Sequence, residues 1–332
     1  MSDSALHDMR HRDIVEPVTG HLARPFWSVM IPTYNCGAYL RQTLASVLAQ
    51  DQGPDRMQIE VIDDASDSDE PRAIVEELGS GRVTFTRQPA NVGHIANFHT
   101  CLRRARGEVV HLLHGDDLVG PGYYEALERG FRTSPQIGAA FCRARLIDEN
   151  GNELSTTEQE EDRAGPLPNH LIRLAREQRI MTPSIAVRRD AYVELGGFDR
   201  RLVCSEDWEM WVRLAARYAF WYEPLPLASY RMHVQSNTGR HIRSGADMAY
   251  TRRAMDIFAH YLPPANRRST VRRAKQTYAK AALAMARRVA GSGDVPAALA
   301  QAWQAIRLHP SPGVARTGLG AVLRSLLGSG ET

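Results

Sequence analysis

The sequence predicts an α/β fold: a doubly wound, mostly parallel sheet followed by an all-helical extension. Three observations carry this. Short apolar runs alternate with stretches of helical periodicity through the first half of the chain. Each run delivers polar residues at its C-terminal end, where open α/β sheets bind their ligands. From about Ser244 the pattern changes to Ala- and Arg-rich helix.

Residues 1–25 show no periodicity and read as a flexible lead-in. The run Trp27 to Pro32 reads as the first strand and ends in a loop, Thr33 to Gly37. Leu40, Leu44, Val47 and Leu48 then recur at helical spacing. A strand at Ile59 to Ile62 leads into Asp63-Asp64-Ala65-Ser66-Asp67. A helix over Pro71 to Leu78, a strand over Val83 to Thr86 and a helix opened by Asn91-Val92-Gly93 follow. Val109 to Leu113 reads as a buried strand running into His114-Gly115-Asp116-Asp117.

The second half is less regular. Strands are expected at Ala139 to Leu146 and Ser184 to Val187, an acidic loop at Glu158 to Gly165, and helices at His170 to Gln178 and Arg189 to Leu195. A further helix starts at Ser205, whose hydroxyl is suited to cap it, with acids in the first turn. Thr270 to Ala290, Val295 to Leu308 and Gly313 to Leu327 read as three helices with Gly/Pro breaks. Part of this stretch resembles part of one tetratricopeptide unit, but a plain helical hairpin packed on the main domain is the favoured reading.

Composition narrows the function classes. At 332 residues, 43% hydrophobic and 24% charged, the chain has an ordinary globular composition. No apolar run approaches the roughly 20 residues needed to cross a bilayer. The polar N-terminus lacks a signal core, so the expected location is the cytoplasm, with peripheral contact at the inner face of the cell membrane left open. Cys36, Cys101, Cys142 and Cys204 are scattered, without zinc spacing, and read as free thiols. Charge is lopsided: residues 240–332 carry 15 basic and 4 acidic side chains, and residues 1–239 carry 26 and 34. The basic tail therefore faces something anionic or forms a solvated surface. Its cations (Arg267, Arg268, Arg272, Arg273, Lys275, Lys280, Arg287 and Arg288) are candidates for anionic lipid head groups or for an oligomer contact. They lack interleaved aromatics to stack bases, so no nucleic-acid partner is expected.

Four clusters carry chemistry. Asp63 and Asp64 end a buried strand, where a carboxylate accepts hydrogen bonds from a base or ribose. Asp116 and Asp117 end the most apolar strand, where a hard divalent cation, Mn²⁺ or Mg²⁺, would offset the cost of burying them. Glu206 and Asp207 open a helix beside Trp208 and Trp211; a carboxylate there is suited to take a proton from an acceptor hydroxyl, and the aromatic faces suit a sugar. Helix capping is the alternative reading of that acid pair. Tyr230-Arg231-Met232-His233 offers a guanidinium for phosphate and an imidazole for a metal, although a lone His is more often structural.

In order, Pro32-Thr33-Tyr34-Asn35, Ile62 to Asp67, Asn91-Val92-Gly93 with Asn97, Gly107-Glu108 to Asp116-Asp117, Gly196-Gly197-Phe198-Asp199, Glu206-Asp207 and Tyr230-Arg231-x-His233 resemble family 2 glycosyltransferases. The resemblance covers about Trp27 to Asn237. It implies a GT-A fold over 26–239, a Rossmann-like sheet flanked by helices, with a basic helical extension over 240–332. It implies inverting transfer of a sugar from a nucleotide diphosphate donor, UDP-sugar favoured, to an acceptor hydroxyl in cell-surface polysaccharide or glycoconjugate synthesis. Pro32, Tyr34, Asp63, Asp64, Asn91 and Asp116 would bind the nucleotide. Asp116, Asp117 and His233 would hold the metal, with Asp117 the direct ligand. Asp207 would be the base with Glu206 beside it, and Trp208 and Arg231 would meet acceptor, sugar or phosphate. A loop after Asn237 would close over the donor. The chain departs from the pattern at His114, where many members carry an acid.

A degenerate GT-A scaffold within a glycan assembly is the alternative, suggested by His114 alone. A nucleotidyltransferase would need a glycine-rich basic phosphate loop near the first strand, and Pro32 to Gly37 contains none. A dinucleotide oxidoreductase fails for want of Gly-x-Gly-x-x-Gly.

Overall fold

The computed structural model describes residues 7–19, 23–233 and 241–328. The first half is the expected doubly wound unit: Trp27–Thr33 (β1), Gly37–Leu48 (α1), Met57–Asp63 (β2), Pro71–Gly79 (α2), Thr84–Arg87 (β3), His94–Arg104 (α3) and Val109–Leu112 (β4). The spatial order is β3-β2-β1-β4 with every pair parallel. Every residue of β1, β2 and β4 is buried, as central strands covered on both faces must be. Register sets Thr33 opposite Asp63, so both strands deliver their loops to the same end of the sheet.

Beyond β4 come Leu118–Val119 (β5), Tyr123–Thr133 (α4), Ile137–Ile147 (β6), Glu153–Thr156 (β7), Gly165–Pro166 (β8), His170–Leu174 (α5), Ile185–Arg188 (β9), Arg189–Leu195 (α6), Glu206–Ala215 (α7) and Ala219–Arg231 (β10). Here the sheet is mixed. β9 enters antiparallel between β4 and β6, β10 runs parallel to β6, and β5 closes antiparallel on β10. The long strand β10 was not anticipated. Glu223, Pro224 and Pro226 interrupt its apolar pattern, and its register shifts twice between Glu223 and Ala228. It brings Arg231 and His233 back to the loop after β4.

Ala246–Phe258 (α8), Pro264–Gly291 (α9), Val295–Leu308 (α10) and Pro312–Gly328 (α11) complete the fold. The expected extension is helical, but it is not an appendage. Met255, Phe258, Tyr261, Leu262, Ala274 and Ala279 belong to the same buried cluster as Trp208, Trp211 and Phe141 under the sheet. The apolar core runs across residue 240.

The expectation of a flexible lead-in is corrected for the described part of residues 1–25. Val15 is 1% exposed, and the Arg12 guanidinium donates to the Tyr261 hydroxyl at 2.7 Å. Asp13 pairs with His99 at 3.0 Å and Arg103 at 2.7 Å. These partners are 86 to 249 residues away, so no local pattern announces them. The four cysteines are free, and Cys36 alone of them is not buried. No helix among the described residues is long and apolar enough to cross a membrane.

Candidate active site

The C-terminal ends of β1, β2 and β4, the start of α7 and the end of β10 surround one cavity of about 470 Å³. Pro32, Tyr34, Asp64, Asn91, Asp116, Glu206, Asp207, Arg231 and His233 all line it. Nine residues singled out from the sequence are thus brought together from six separate segments.

Asp64 forms one wall. Its carboxylate accepts from the backbone N–H of Val92 at 2.8 Å and of Gly93 at 3.0 Å. Gly93 has φ +84°, a conformation that glycine adopts without strain and that sets both amides toward the carboxylate. Burial raises the Asp64 pKa against the pull of those amides. Asp63 does not reach the cavity, which corrects its assignment to the nucleotide. Its side chain is 0% exposed and is consumed by Arg87 and by the Ser66 hydroxyl and amide. It braces the loop that shapes the wall.

The loop after β4 forms the floor. Gly115 packs so tightly that a Cβ there would lie 2.9 Å from Cys36 Sγ and 3.0 Å from Thr33 Oγ1. This explains a glycine between His114 and Asp116. His233 Nε2 meets Asp116 Oδ2 at 2.9 Å. Burial opposes charge on Asp116, but the His233 bond and the neighbouring imidazoles hold its pKa below the usual carboxylate range. Asp117 lies beneath, 1% exposed, with Oδ1 accepting the Arg231 backbone N–H at 2.8 Å. Burial, then the Asp116 charge, pushes its pKa well up. Asp116 and not Asp117 therefore faces the cavity, the reverse of the order expected from sequence.

Arg231 is 1% exposed and spends its donors on the protein. Nε donates to Asp116 O at 2.9 Å, one terminal nitrogen to Gln42 Oε1 at 2.9 Å, and the other to Asp148 O and Glu149 O at 3.3 and 3.2 Å. The guanidinium also lies 4.6 Å from the Tyr39 ring centre. The expected phosphate fork is thus corrected to a brace that holds the floor from beneath.

Asp207 also lines the cavity. Oδ2 accepts from Gln178 Nε2 at 2.9 Å and from Thr182 Oγ1 at 3.4 Å. Burial, then the Glu206 charge, pushes its pKa up to about 7. Glu206 Oε1 lies 3.6 Å from His94 Nε2. Burial opposes the imidazolium of His94, but Glu206 raises its pKa on balance. Ser205 does not cap α7 through its side chain; it sits at φ +61° and its hydroxyl meets Thr251 Oγ1 at 3.0 Å. Asn35, at φ +50°, is a second non-glycine residue on the cavity wall in the left-handed region. Each such residue costs about 1 kcal/mol, which the surrounding hydrogen bonds must hold in place. Trp208 is corrected from a sugar platform to core: 1% exposed, its indole N–H donates to Leu174 O at 2.7 Å, and its rings pack on Phe258 and Tyr278.

The sequence reading missed His94, Phe98, Gln178, Thr182 and Tyr39 as parts of the site. His114 had been noted only as a missing acid. It lines the cavity, and its ring stacks on Phe98 at 5.0 Å with 12° between planes. Burial lowers its pKa, which favours the neutral imidazole. One ligand atom each from His114, Asp116 and Asp117 lie within 4.8 Å of one another. His114 Nε2 and Asp117 Oδ2 are buried with no hydrogen-bond partner among the described residues. These donors fit a divalent cation. The expected lid after Asn237 lies outside the described residues.

A family model described as glycosyl transferase family 2 matches residues 28–196. An uncharacterized protein of Mycobacterium tuberculosis is 30% identical over 239 residues, covering 69% of this chain and 74% of that one. An uncharacterized glycosyltransferase of Methanocaldococcus jannaschii is 26% identical over 201 residues, covering 60% and 68%. The crystal structure of S. aureus TarS 1–349 superposes with TM-score 0.61 at 16% identity, covering 91% of both chains. The same fragment in complex with UDP-GlcNAc gives 0.58. The chain belongs to glycosyl transferase family 2 and carries the GT-A fold.

Proposed function

We propose that this glycosyltransferase moves a sugar, with inversion, from a nucleotide diphosphate donor onto an acceptor hydroxyl. One observation carries the reading: a single cavity gathers Asp64, Asp116 with its His233 partner, and the Glu206–Asp207 pair. These three groups suit base, diphosphate and acceptor in turn. A UDP-sugar is the favoured donor, since a structural neighbour is described in complex with UDP-GlcNAc.

Asp64 and the Asn91–Gly93 loop hold the base side, with Pro32 and Tyr34 on the adjoining wall. Asp116, with His114 and Asp117 beside it, would hold a divalent cation, Mn²⁺ or Mg²⁺, that neutralises charge on the departing diphosphate. Asp207 takes the proton of the acceptor hydroxyl as that oxygen attacks the anomeric carbon. The bond from that carbon to the diphosphate oxygen breaks, and its electron pair leaves with the nucleotide. A carboxylate poised near neutrality suits that task. Glu206 and His94 stand on the acceptor side.

Contact with an anionic membrane surface forms part of the same proposal. Arg268, Arg272, Arg273, Lys280, Arg287 and Arg288 are exposed along α9, and Trp303 of α10 is 59% exposed. Arg267 and Lys275 are half-buried and engaged, to Leu262 O and Asp256. A glycan on a lipid carrier would be met there.

The test is thermal denaturation with UDP, GDP and dTDP, with and without Mn²⁺. A ligand that binds only the folded chain raises the melting temperature by mass action. A metal-dependent rise with one nucleotide supports the reading and names the donor class. No rise with any nucleotide sinks it and moves weight to a scaffold.

A further inference from the structure

The floor of the cavity carries a nitrogen donor among its carboxylates. His114 Nδ1 lies 3.6 Å from Asp117 Oδ2, too far for a hydrogen bond. Yet Asp117 is 1% exposed, and neither its Oδ2 nor His114 Nε2 has another hydrogen-bond partner among the described residues. Leaving two such atoms dry and unpaired is costly. Two ligands about 2.1 Å from a common octahedral ion lie roughly 3.0 Å apart when adjacent and 4.2 Å apart when opposite. The Nδ1 to Oδ2 spacing falls between these, and one ligand atom from each of the three side chains lies within 4.8 Å of the others. Stacking on Phe98 fixes the plane of the His114 ring, so its lone pair is preset. His233 differs: its Nε2 is already spent on Asp116 Oδ2.

We propose that His114 is a nitrogen ligand in the cation site of Asp116 and Asp117, and that it biases the site toward first-row transition ions over Mg²⁺ and Ca²⁺. The proposal rests on the metal-dependent reading given above. Mg²⁺ and Ca²⁺ prefer oxygen donors, whereas imidazole favours transition ions. A carboxylate at position 114 would give an all-oxygen, more negative floor suited to Mg²⁺. The imidazole gives up some attraction for hard ions and gains selectivity.

The test uses the full chain with Mn²⁺ and UDP, read by electron spin echo envelope modulation and by Mn²⁺/Mg²⁺ competition. Wild type and His233→Gln should show ¹⁴N coupling from a coordinated imidazole. His114→Asp and His114→Gln should lose it. The preference for Mn²⁺ over Mg²⁺ should fall about tenfold in His114→Asp. Melting curves check that each variant is folded, and His114→Gln carries the spectroscopic test if the aspartate variant is not. Bound Mn²⁺ without ¹⁴N coupling, coupling that survives in His114→Gln, or an unchanged preference in folded His114→Asp overturns the role of His114 and leaves the transferase reading standing. Absence of any nucleotide-dependent Mn²⁺ binding overturns both.

Discussion

The side-chain amide of Gln178 donates to Asp207 Oδ2 at 2.9 Å. That bond favours the charged carboxylate and so opposes the burial that pushes Asp207 up to about 7. Removing it in Gln178→Ala should raise the Asp207 pKa further. The acid limb of the kcat/KM profile then moves to higher pH, with several-fold loss near pH 6 and little loss near pH 9. A limb that stays in place would show that Gln178 does not tune the base.

Asp207→Asn removes the proton acceptor and keeps the shape. General-base loss of this kind costs about 10²–10⁴ in kcat. Asp207 is hydrogen-bonded to Gln178 and Thr182 and not to Asp64 or Asp116, so the stabilisation by nucleotide with Mn²⁺ should persist. Turnover near wild type would strip Asp207 of the role.

The same carboxylate sets a pH dependence of stability. An unfolded Asp titrates near 3.9, and burial raises the folded value to about 7. Between these values the folded chain holds more protons than the unfolded one, so this group's contribution declines as pH rises through 7. Asp207→Asn is free of that loss. Its melting temperature relative to wild type should improve from pH 5 to pH 8, as read by calorimetry at both. A difference independent of pH would mean Asp207 titrates normally.

Arg231→Lys tests the brace under the floor. Lysine keeps the charge but loses the planar fork that reaches Asp116 O, Gln42 and the 148–149 carbonyls together. The expected loss of stability is about 2–4 kcal/mol by urea titration, with weaker nucleotide-dependent Mn²⁺ binding. If Arg231 were a phosphate clamp instead, stability would hold and only donor affinity would fall.

Truncation after Arg240 should fail to yield a folded domain, because Trp208 packs on Phe258 and Tyr278. Tyr278→Phe is the gentler probe. It strips the hydroxyl that accepts the Gln178 backbone N–H at 3.1 Å, at about 1 kcal/mol, and should slow turnover modestly through the placement of Gln178. A folded, nucleotide-binding truncation product would show the helices to be dispensable.

The doubly wound half was legible because burial on both faces writes itself as continuous apolar runs with polar ends. Met57–Asp63 and Val109–Leu112 are such runs, and their loops reach the site. Side-chain direction was not legible. Asp63 and Asp64 are neighbours, yet one faces the Ser66 turn and the other the cavity, because successive residues of a strand end point opposite ways. Asp116 and Asp117 also divide, one toward the cavity and the other onto the Arg231 backbone, because they sit in the turn after β4. Trp208 is consumed by helices 50 and more residues later in the chain, so its aromatic character could not reveal which surface it meets. Gln178 and Thr182 stayed hidden because an uncharged hydrogen-bonding residue in a loop carries no signal until its partner is placed.

Arg12 finds the Tyr261 hydroxyl and Leu195 O only when those residues have arrived. During synthesis the first strand and its helix are free to pair early, and Asp13 meets His99 and Arg103 soon after, while Arg12 waits 249 residues for Tyr261. Closure of that contact would then join one of the earliest parts of the chain to a much later one. A nascent chain stalled before Tyr261 should present an open seam beside α6, vulnerable to proteases and attractive to chaperones.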